Sequence, residues 1–344
     1  MDVLLICPTN LKFMPYIDSY IKILKENNIS YGFLIWDRFL EEDTSENIFK
    51  RGPRRHQRGF LDYYLFGRFV NQHLRFNKYK RIICFGLQIA FFIRAELKNN
   101  YSKKFILDIR DHNKIVNFYN FKDLISHSAF TAISSLGYLS WLPKDGCYLV
   151  NHNFHLENLS NIKQINFLES GETNISSIGA LRDLEINVDF IRKINNDQKI
   201  KLFFHGHGDI NLKLEESSAA FNNVKITGYY SKEKESELYH SSHLVNVLRY
   251  SDGINNNTAL PNRLYLAPYF GRPLFAYSGT YLAQVIKQYE LGLVVDSFDD
   301  VKNEIFRYFE NFDILVFDKA RQRFLEEVID ENSRFKQELY LFIR

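Results

Sequence analysis

The sequence predicts an α/β protein made of two successive Rossmann-like domains. Three observations predict this. Short apolar runs end in polar residues and precede stretches of helical spacing, the pattern of βα units feeding a parallel sheet. The pattern lapses over residues 155–174, which are rich in Asn, Ser and Glu, and then restarts. A length of 344 residues also exceeds what one hydrophobic core comfortably organises.

In chain order, residues 3–7 form the first apolar run and 17–26 have helical spacing. The first run lacks a basic flank and is interrupted by Pro8 and Asn10, so it reads as a buried strand and not as a signal peptide. Further runs cover 31–36, 81–85, 104–107, 130–133 and 148–150. Asp37-Arg38 closes the second run, Asp108-Ile109-Arg110-Asp111 the fourth, Ser134-Ser135 the fifth and Asn151-His152-Asn153 the sixth. After the linker, strands are expected at 176–178, 200–204, 224–226, 244–247, 273–276 and 293–295. Helices are expected at 185–194, at 231–239 with Ser231 as N-cap, and at 261–270. Pro261 suits the first turn of that last helix and Gly271 its C-terminal cap. The tail, 317–344, is mostly helical. The expected division is a first domain over 1–160, a second over 175–320 and a terminal helix over 321–344.

Composition excludes several classes. With 45% apolar and 25% charged residues, global disorder is ruled out. No stretch approaches the roughly 18–20 apolar residues of a membrane span. Cys7, Cys84 and Cys147 share no metal spacing, and a reducing cytoplasm suits them. A net charge of only +3 argues against nucleic acid as the partner. Aromatic residues reach 16%, so part of that excess is expected on surfaces.

The strongest local signal is Leu260-Pro261-Asn262-Arg263-Leu264-Tyr265, followed by Gly271-Arg272-Pro273. A helix N-terminus offers unpaired N–H groups, and Arg263 adds a fork of charged donors, so the segment suits a phosphate. An ordinary capped helix with a solvated arginine is the competing reading.

This segment resembles the donor-binding segment of GT-B glycosyltransferases that build bacterial surface polysaccharides. Their pattern runs Pro-Asn-Lys-Leu-Phe-Glu-Tyr, then small residues, then Gly-Lys-Pro and an apolar strand. Residues 177–183 and 202–208 resemble the first two strand–loop units of that family's C-terminal domain. Val224 through Gly228-Tyr229-Tyr230, with Leu238-Tyr239, resembles a later one. The likeness covers about residues 175–300 well; over 1–150 it is weaker, resting on Trp36-Asp37-Arg38, 108–111 and 132–135.

The resemblance implies a GT-B fold: two Rossmann-like domains facing across a cleft, with the C-terminal helix crossing back to the N-terminal domain. It implies transfer of a sugar from a nucleotide-sugar, a UDP-sugar first, to a lipid-linked oligosaccharide acceptor at the inner face of the plasma membrane. The implied donor-binding residues are Gly179, Arg182, His205, Gly206, Tyr229, Asn262, Arg263 and Leu264, with Arg249 as a further cation. Leu266 and Thr258 stand where the family usually carries acids. Two other functions therefore stay open: a nucleotide-sugar epimerase on a similar plan, and a non-catalytic GT-B-like protein that binds a glycan or partner.

An inverting transferase needs a general base at the acceptor hydroxyl. Asp108, Asp111 and His112 follow a strand of the first domain, and Asp111 is the first choice. A structural loop in which Arg110 pairs with a carboxylate is the alternative. His205 and His207 lack a third ligand, so no metal is expected. Gly206 and Gly208 lack the full dinucleotide fingerprint, so no cofactor is expected. Residues 50–81 hold ten Lys and Arg against the single acid Asp62, interleaved with aromatics. An amphipathic core helix with a basic solvent face accounts for part of this. The mixture also suits an anionic membrane surface, with Arg51, Arg54, Arg55 and Arg58 in an exposed loop beside Gly52, Pro53 and Gly59.

Overall fold

The computed structural model describes residues 1–42, 47–52, 54–165 and 171–344. Pro53 and residues 166–170 of the expected linker lie outside the described residues. The chain forms two compact units, one of Met1–Asn153 with Asp330–Arg344, the other of Phe154–Ile329. The junctions thus fall at 153/154 and 329/330, where the sequence suggested 160–175 and 321.

The first unit contains β1 (Val3–Cys7), α1 (Ile17–Glu26), β2 (Tyr31–Asp37), β3 (Ile48–Lys50), α2 (Phe60–Phe76), β4 (Arg81–Phe85), α3 (Leu87–Asn100), β5 (Phe105–Ile109), α4 (Phe121–His127), β6 (Thr131–Ile133) and β7 (Tyr148–Val150). Among the described residues its seven strands are parallel, in the order β3-β2-β1-β4-β5-β6-β7. Helices cover both faces of such a sheet, which is why its strands are unbroken apolar runs and not alternating ones. All five residues of β1 are buried. In α1, Ile17, Tyr20 and Leu24 recur at helical spacing and pack with Val3 and Leu5. In α2 the buried stripe is Phe66, Val70 and Leu74.

The second unit contains β8 (Thr173–Ile178), α5 (Leu184–Ile194), β9 (Ile200–His205), α6 (Asn211–Ser218), β10 (Val224–Gly228), α7 (Glu235–His240), β11 (Leu244–Asn246), α8 (Ile254–Thr258), α9 (Arg263–Tyr269), β12 (Leu274–Tyr277), α10 (Tyr281–Gln288), β13 (Gly292–Val295) and α11 (Val301–Glu310). Its strands are again all parallel, in the order β10-β9-β8-β11-β12-β13. The last helix, α12 (Ile314–Ile343), is shared. Phe324, Leu325 and Val328 join the core of the second unit, and Phe335, Leu339 and Phe342 join that of the first. Among the described residues no helix is long and apolar enough to cross a membrane.

Several expectations are corrected in detail. The strand expected at 104–107 runs to Ile109, because Asp108 pairs in register with Phe85 and is itself buried. The helix expected over 231–239 is a 3-10 turn at Lys232–Lys234 followed by α7, and the Ser231 side chain caps no N–H of that turn. The helix expected over 261–270 starts at Arg263. Gly271 follows it at φ +69°, the left-handed geometry that ends a helix. Helix α3 went unpredicted: besides its buried residues it carries Phe91 and Phe92, only half buried, on another face, which blurs a single apolar stripe.

Candidate functional site

In parallel sheets, ligands bind outside the carboxyl ends of the strands where the strand order reverses. In the second unit that point lies at β8, which is flanked by β9 on one side and β11 on the other. A narrow polar notch opens there, lined by Ser177, Arg182, Asn187, Asn246 and Arg263 among others. At about 10 Å³ it has room for a single water or ligand oxygen.

A chain of amides fixes the notch. Arg263 Nη1 donates to the Asn246 carbonyl at 2.9 Å. Asn246 Nδ2 donates to Asn187 Oδ1 at 2.9 Å, and its own Oδ1 accepts from Leu248 N at 2.8 Å. Asn187 Nδ2 in turn holds the carbonyls of Arg182 at 3.1 Å and Asp183 at 2.8 Å. The guanidinium at the start of α9 and the loop after β8 are thereby set against the end of β11. Burial pushes the Arg263 pKa down. Among the described residues no carboxylate lies within ion-pair distance of Arg263 or Arg182. Arg182 is exposed and Arg263 half-buried, so both cations can meet a ligand.

The glycines in this region serve close approach. Gly179 and Gly206 sit at φ +106° and +128°. A Cβ on Gly206 would lie 1.8 Å from the Gly179 carbonyl oxygen, and one on Gly208 would lie 1.9 Å from that of Leu181. Their N–H groups are already committed: Gly179 to His205 O at 2.9 Å, Gly206 to Gly228 O at 2.8 Å, and Gly208 to Asn211 Oδ1 at 2.6 Å. These loops therefore lock to one another and offer a ligand no cradle of unpaired amides at those three positions.

The other donor-side candidates fall in different settings. His205 is buried, with Nδ1 2.8 Å from Thr227 Oγ1. Burial lowers its pKa, reinforced by Lys225, so the ring is neutral at pH 7. Tyr229 is 84% exposed, which leaves its ring face open for stacking. Asn262 is exposed. Leu264 is wholly buried and its N–H donates to Pro261 O, so its side chain belongs to the core. Leu266 also packs against that core. Arg249 is buried, with Nη1 on the Ala259 carbonyl at 3.2 Å. Next to the notch, an open pocket of about 290 Å³ is lined by Asp183, Glu185, Tyr250 and Asp252.

In the first unit, Asp108 is fully buried inside β5. Its two oxygens meet Arg110 Nε at 2.5 Å and Nη2 at 2.7 Å, and Tyr20 Oη donates to it at 2.6 Å. Arg110 also donates to Asn151 O and Asn153 Oδ1 and lies 4.2 Å over the Tyr16 ring. Burial opposes the Arg110 charge, but Asp108 outweighs it and raises the pKa. This is the arginine–carboxylate pair weighed as the alternative for 108–111: Asp108 anchors Arg110 and the loop that follows. Asp111, beyond the strand end, is exposed. His112 meets Trp141 edge-on at 5.0 Å, and burial with Lys114 lowers its pKa.

The arginine quartet divides. Arg51 pairs with Asp62 at 2.9 Å. Arg58 donates to the carbonyls of Arg38 and Arg51 and lies 5.5 Å from the Trp36 ring. Only Arg54 and Arg55 are exposed and without a partner among the described residues. The expectation that all four lie in an exposed loop is corrected: Arg51 and Arg58 are half-buried and hold the loop to Asp62 and Trp36. Of the aromatics, Phe60, Tyr64 and Phe76 point outward, with Phe60 at 66% and Phe76 at 82% exposure, while Phe66 is core.

Sequence reasoning missed Asn187 and Asn246, the amides that place Arg263. One signal was present: Asn246 interrupts the apolar run Leu244-Val245-Asn246-Val247-Leu248. A polar residue inside a buried strand needs partners.

No protein-family model matches the chain, and no curated protein matches it in sequence. Solved structures do match. The sucrose-phosphate synthase of Thermosynechococcus elongatus is 11% identical and aligns over 99% of this chain and 100% of its own, with a TM-score of 0.68. Anabaena HepE, solved in complex with UDP, is 12% identical over 98% of this chain and 99% of its own, at TM-score 0.63. The lipopolysaccharide outer core galactosyltransferase WaaB is 12% identical over 98% and 99%, at TM-score 0.64. With two parallel Rossmann-like sheets and a long C-terminal helix packed on the first unit, the chain has the GT-B fold and shares it with these structures.

Proposed function

We propose that this protein transfers a sugar from a UDP-sugar to a lipid-linked oligosaccharide of a surface polysaccharide. The observation that carries the reading is the notch at the reversal point of the second sheet, where Arg263 and Arg182 have no carboxylate within ion-pair distance among the described residues, in a GT-B fold. Transfer breaks the bond between the anomeric carbon and the phosphate oxygen, and the electron pair leaves with UDP. A guanidinium fixed by Asn246 stabilises that developing charge without having to reorganise. The acceptor hydroxyl attacks the anomeric carbon, and its proton passes to a carboxylate. Asp111 is the base in this reading, with the Asp108–Arg110 pair positioning its loop. The UDP complex of HepE supports the choice of nucleotide, and the likeness to WaaB, a lipopolysaccharide outer core galactosyltransferase, supports the acceptor class. Leu266 packs against the core where the family usually carries an acid, so in this reading it makes no hydrogen bond to the ribose. A lipid-linked acceptor places the enzyme at the inner face of the membrane, with Arg54, Arg55, Phe60 and Tyr64 available to that surface.

A melting-temperature screen with UDP, GDP, CMP and their sugars tests the donor, because a ligand that binds only the folded state raises the melting point. Assay of UDP release follows. The expected result is stabilisation by UDP, slow UDP release from UDP-sugar, and an Asp111→Asn variant that still binds UDP but turns over about 10²–10⁴-fold more slowly. Intact isomerised sugar supports the epimerase, and binding without turnover supports a non-catalytic protein. No response to any nucleotide removes the donor site.

A further inference from the structure

We infer a second anion site in this protein, a basic basin in the first unit that takes a phosphate-bearing polyanion. It lies at the amino ends of β4 and β5, the opposite end of that sheet from Asp111. Arg81 opens β4 and Phe105 opens β5, and the two strands are neighbours. The basin has a volume of about 480 Å³, within the usual range of roughly 300–1,000 Å³ for small-ligand pockets. Lys78, Lys80, Arg81, Lys104 and Arg344 line it, and among the described residues no Asp or Glu side chain does. Asp2 pairs with Lys80 at 2.8 Å and compensates that one charge. Lys78 and Lys104 have no carboxylate partner among the described residues.

Two features make this more than a basic surface. First, Arg81 is held in place: Nε donates to the Phe342 carbonyl at 2.7 Å, Nη1 donates to the Lys80 carbonyl at 3.1 Å, and the guanidinium lies 5.4 Å over the Phe342 ring. A pre-positioned fork facing several mobile ammonium groups suits phosphate oxygens, which accept from both. Second, the Tyr101 hydroxyl in the basin wall is buried beside the Tyr79 backbone, with no hydrogen bond of good geometry among the described residues. Bringing like charges together around one concavity is unfavourable unless an anion neutralises them.

The shared chemistry is a phosphate, from a phospholipid headgroup or a soluble polyphosphate. The rim favours the headgroup: Phe76 is 82% exposed two residues before Lys78, and Leu341 is 57% exposed three residues before Arg344. Apolar side chains beside cations are what a lipid interface accommodates. The basin does not depend on the glycosyltransferase reading, because UDP binding to the second unit is measured separately.

The test uses the full chain with phosphatidylcholine vesicles, with and without phosphatidylglycerol, and with tripolyphosphate as a soluble probe. Wild type is expected to bind the phosphatidylglycerol vesicles at low salt. Lys78→Gln with Lys104→Gln should weaken binding roughly 30-fold, the loss of two cations near a charged surface. Lys213→Gln with Lys234→Gln, two exposed lysines of the second unit, should leave most of the binding intact. Tripolyphosphate that displaces wild type from vesicles, or that binds with the same dependence on Lys78 and Lys104, supports the site with a soluble ligand. Vesicle binding insensitive to tripolyphosphate but lost with the lysine pair supports the lipid headgroup. Both lysines are exposed, so the variant should melt like wild type; if it does not, the displacement measured on wild type decides. The inference is overturned if neither probe binds at low salt, or if the two double variants lose binding equally.

Discussion

Arg263→Ala separates charge stabilisation from simple packing. In the folded protein the guanidinium makes one hydrogen bond to Asn246 O, at 2.9 Å, and faces no carboxylate within ion-pair distance among the described residues. Its other donors are therefore available to a ligand's diphosphate. A hydrogen bond to a charged group contributes about 1.5–3 kcal/mol. Loss of that contact should raise the Kd for UDP roughly 10- to 150-fold. Uridine, which lacks the diphosphate, should keep its affinity within about twofold, since it loses no charged contact. The variant also leaves the Asn246 carbonyl unpaired, at a stability cost of about 1–3 kcal/mol, so its melting point should fall modestly. Titration calorimetry with UDP and with uridine, on wild type and variant, reads the two affinities, and a thermal melt reads the stability. Arg263→Lys should recover part of the UDP affinity, because it restores the charge without the planar fork. Equal loss of UDP and uridine affinity would show that the variant damages the pocket at large. Unchanged UDP affinity would remove Arg263 from the site.

Asp108→Asn breaks a buried ion pair and leaves Arg110 uncompensated, so thermal unfolding should show a loss of about 3–5 kcal/mol. Gly206→Ala places a Cβ 1.8 Å from the Gly179 oxygen at φ +128°, and should cost at least about 1–3 kcal/mol in the same assay; a neutral result would mean the two loops do not interlock. His205 has a folded-state pKa below its ordinary 6.5, so the unfolded chain binds more protons between those two values. Its contribution is thus complete above pH 6.5 and is lost as pH falls toward the lowered value. His205→Gln should flatten that part of the stability–pH curve, and an unchanged curve would show that the ring stays solvated.

Much of the fold was legible in the sequence because it is local. Both sheets are parallel and their inner strands are largely buried, so most strands are short apolar runs whose polar endings can be read without the rest of the chain. The restart of that rhythm after residue 174 announced the second sheet, and Gly271 announced the end of α9 through its left-handed geometry. Helix α3 escaped because apolar side chains on more than one face erase the period.

The tertiary structure decided which polar residues stand together. Asp108 and Asp111 are three positions apart and chemically alike, yet one is sealed inside β5 against Arg110 and Tyr20 while the other lies on the surface. Arg51 and Arg54 are equally basic in sequence, and only the placement of Asp62 one turn into α2 separates a structural arginine from an exposed one. Asn187, Asn246 and Arg263 come from three elements up to 76 residues apart, and strand order alone makes them one network. Hydrophobic periodicity is a property of neighbours along the chain, so the sequence by itself determined the strands and helices. Charge pairing and hydrogen bonding are properties of neighbours in space, and those were fixed only when the sheets assembled.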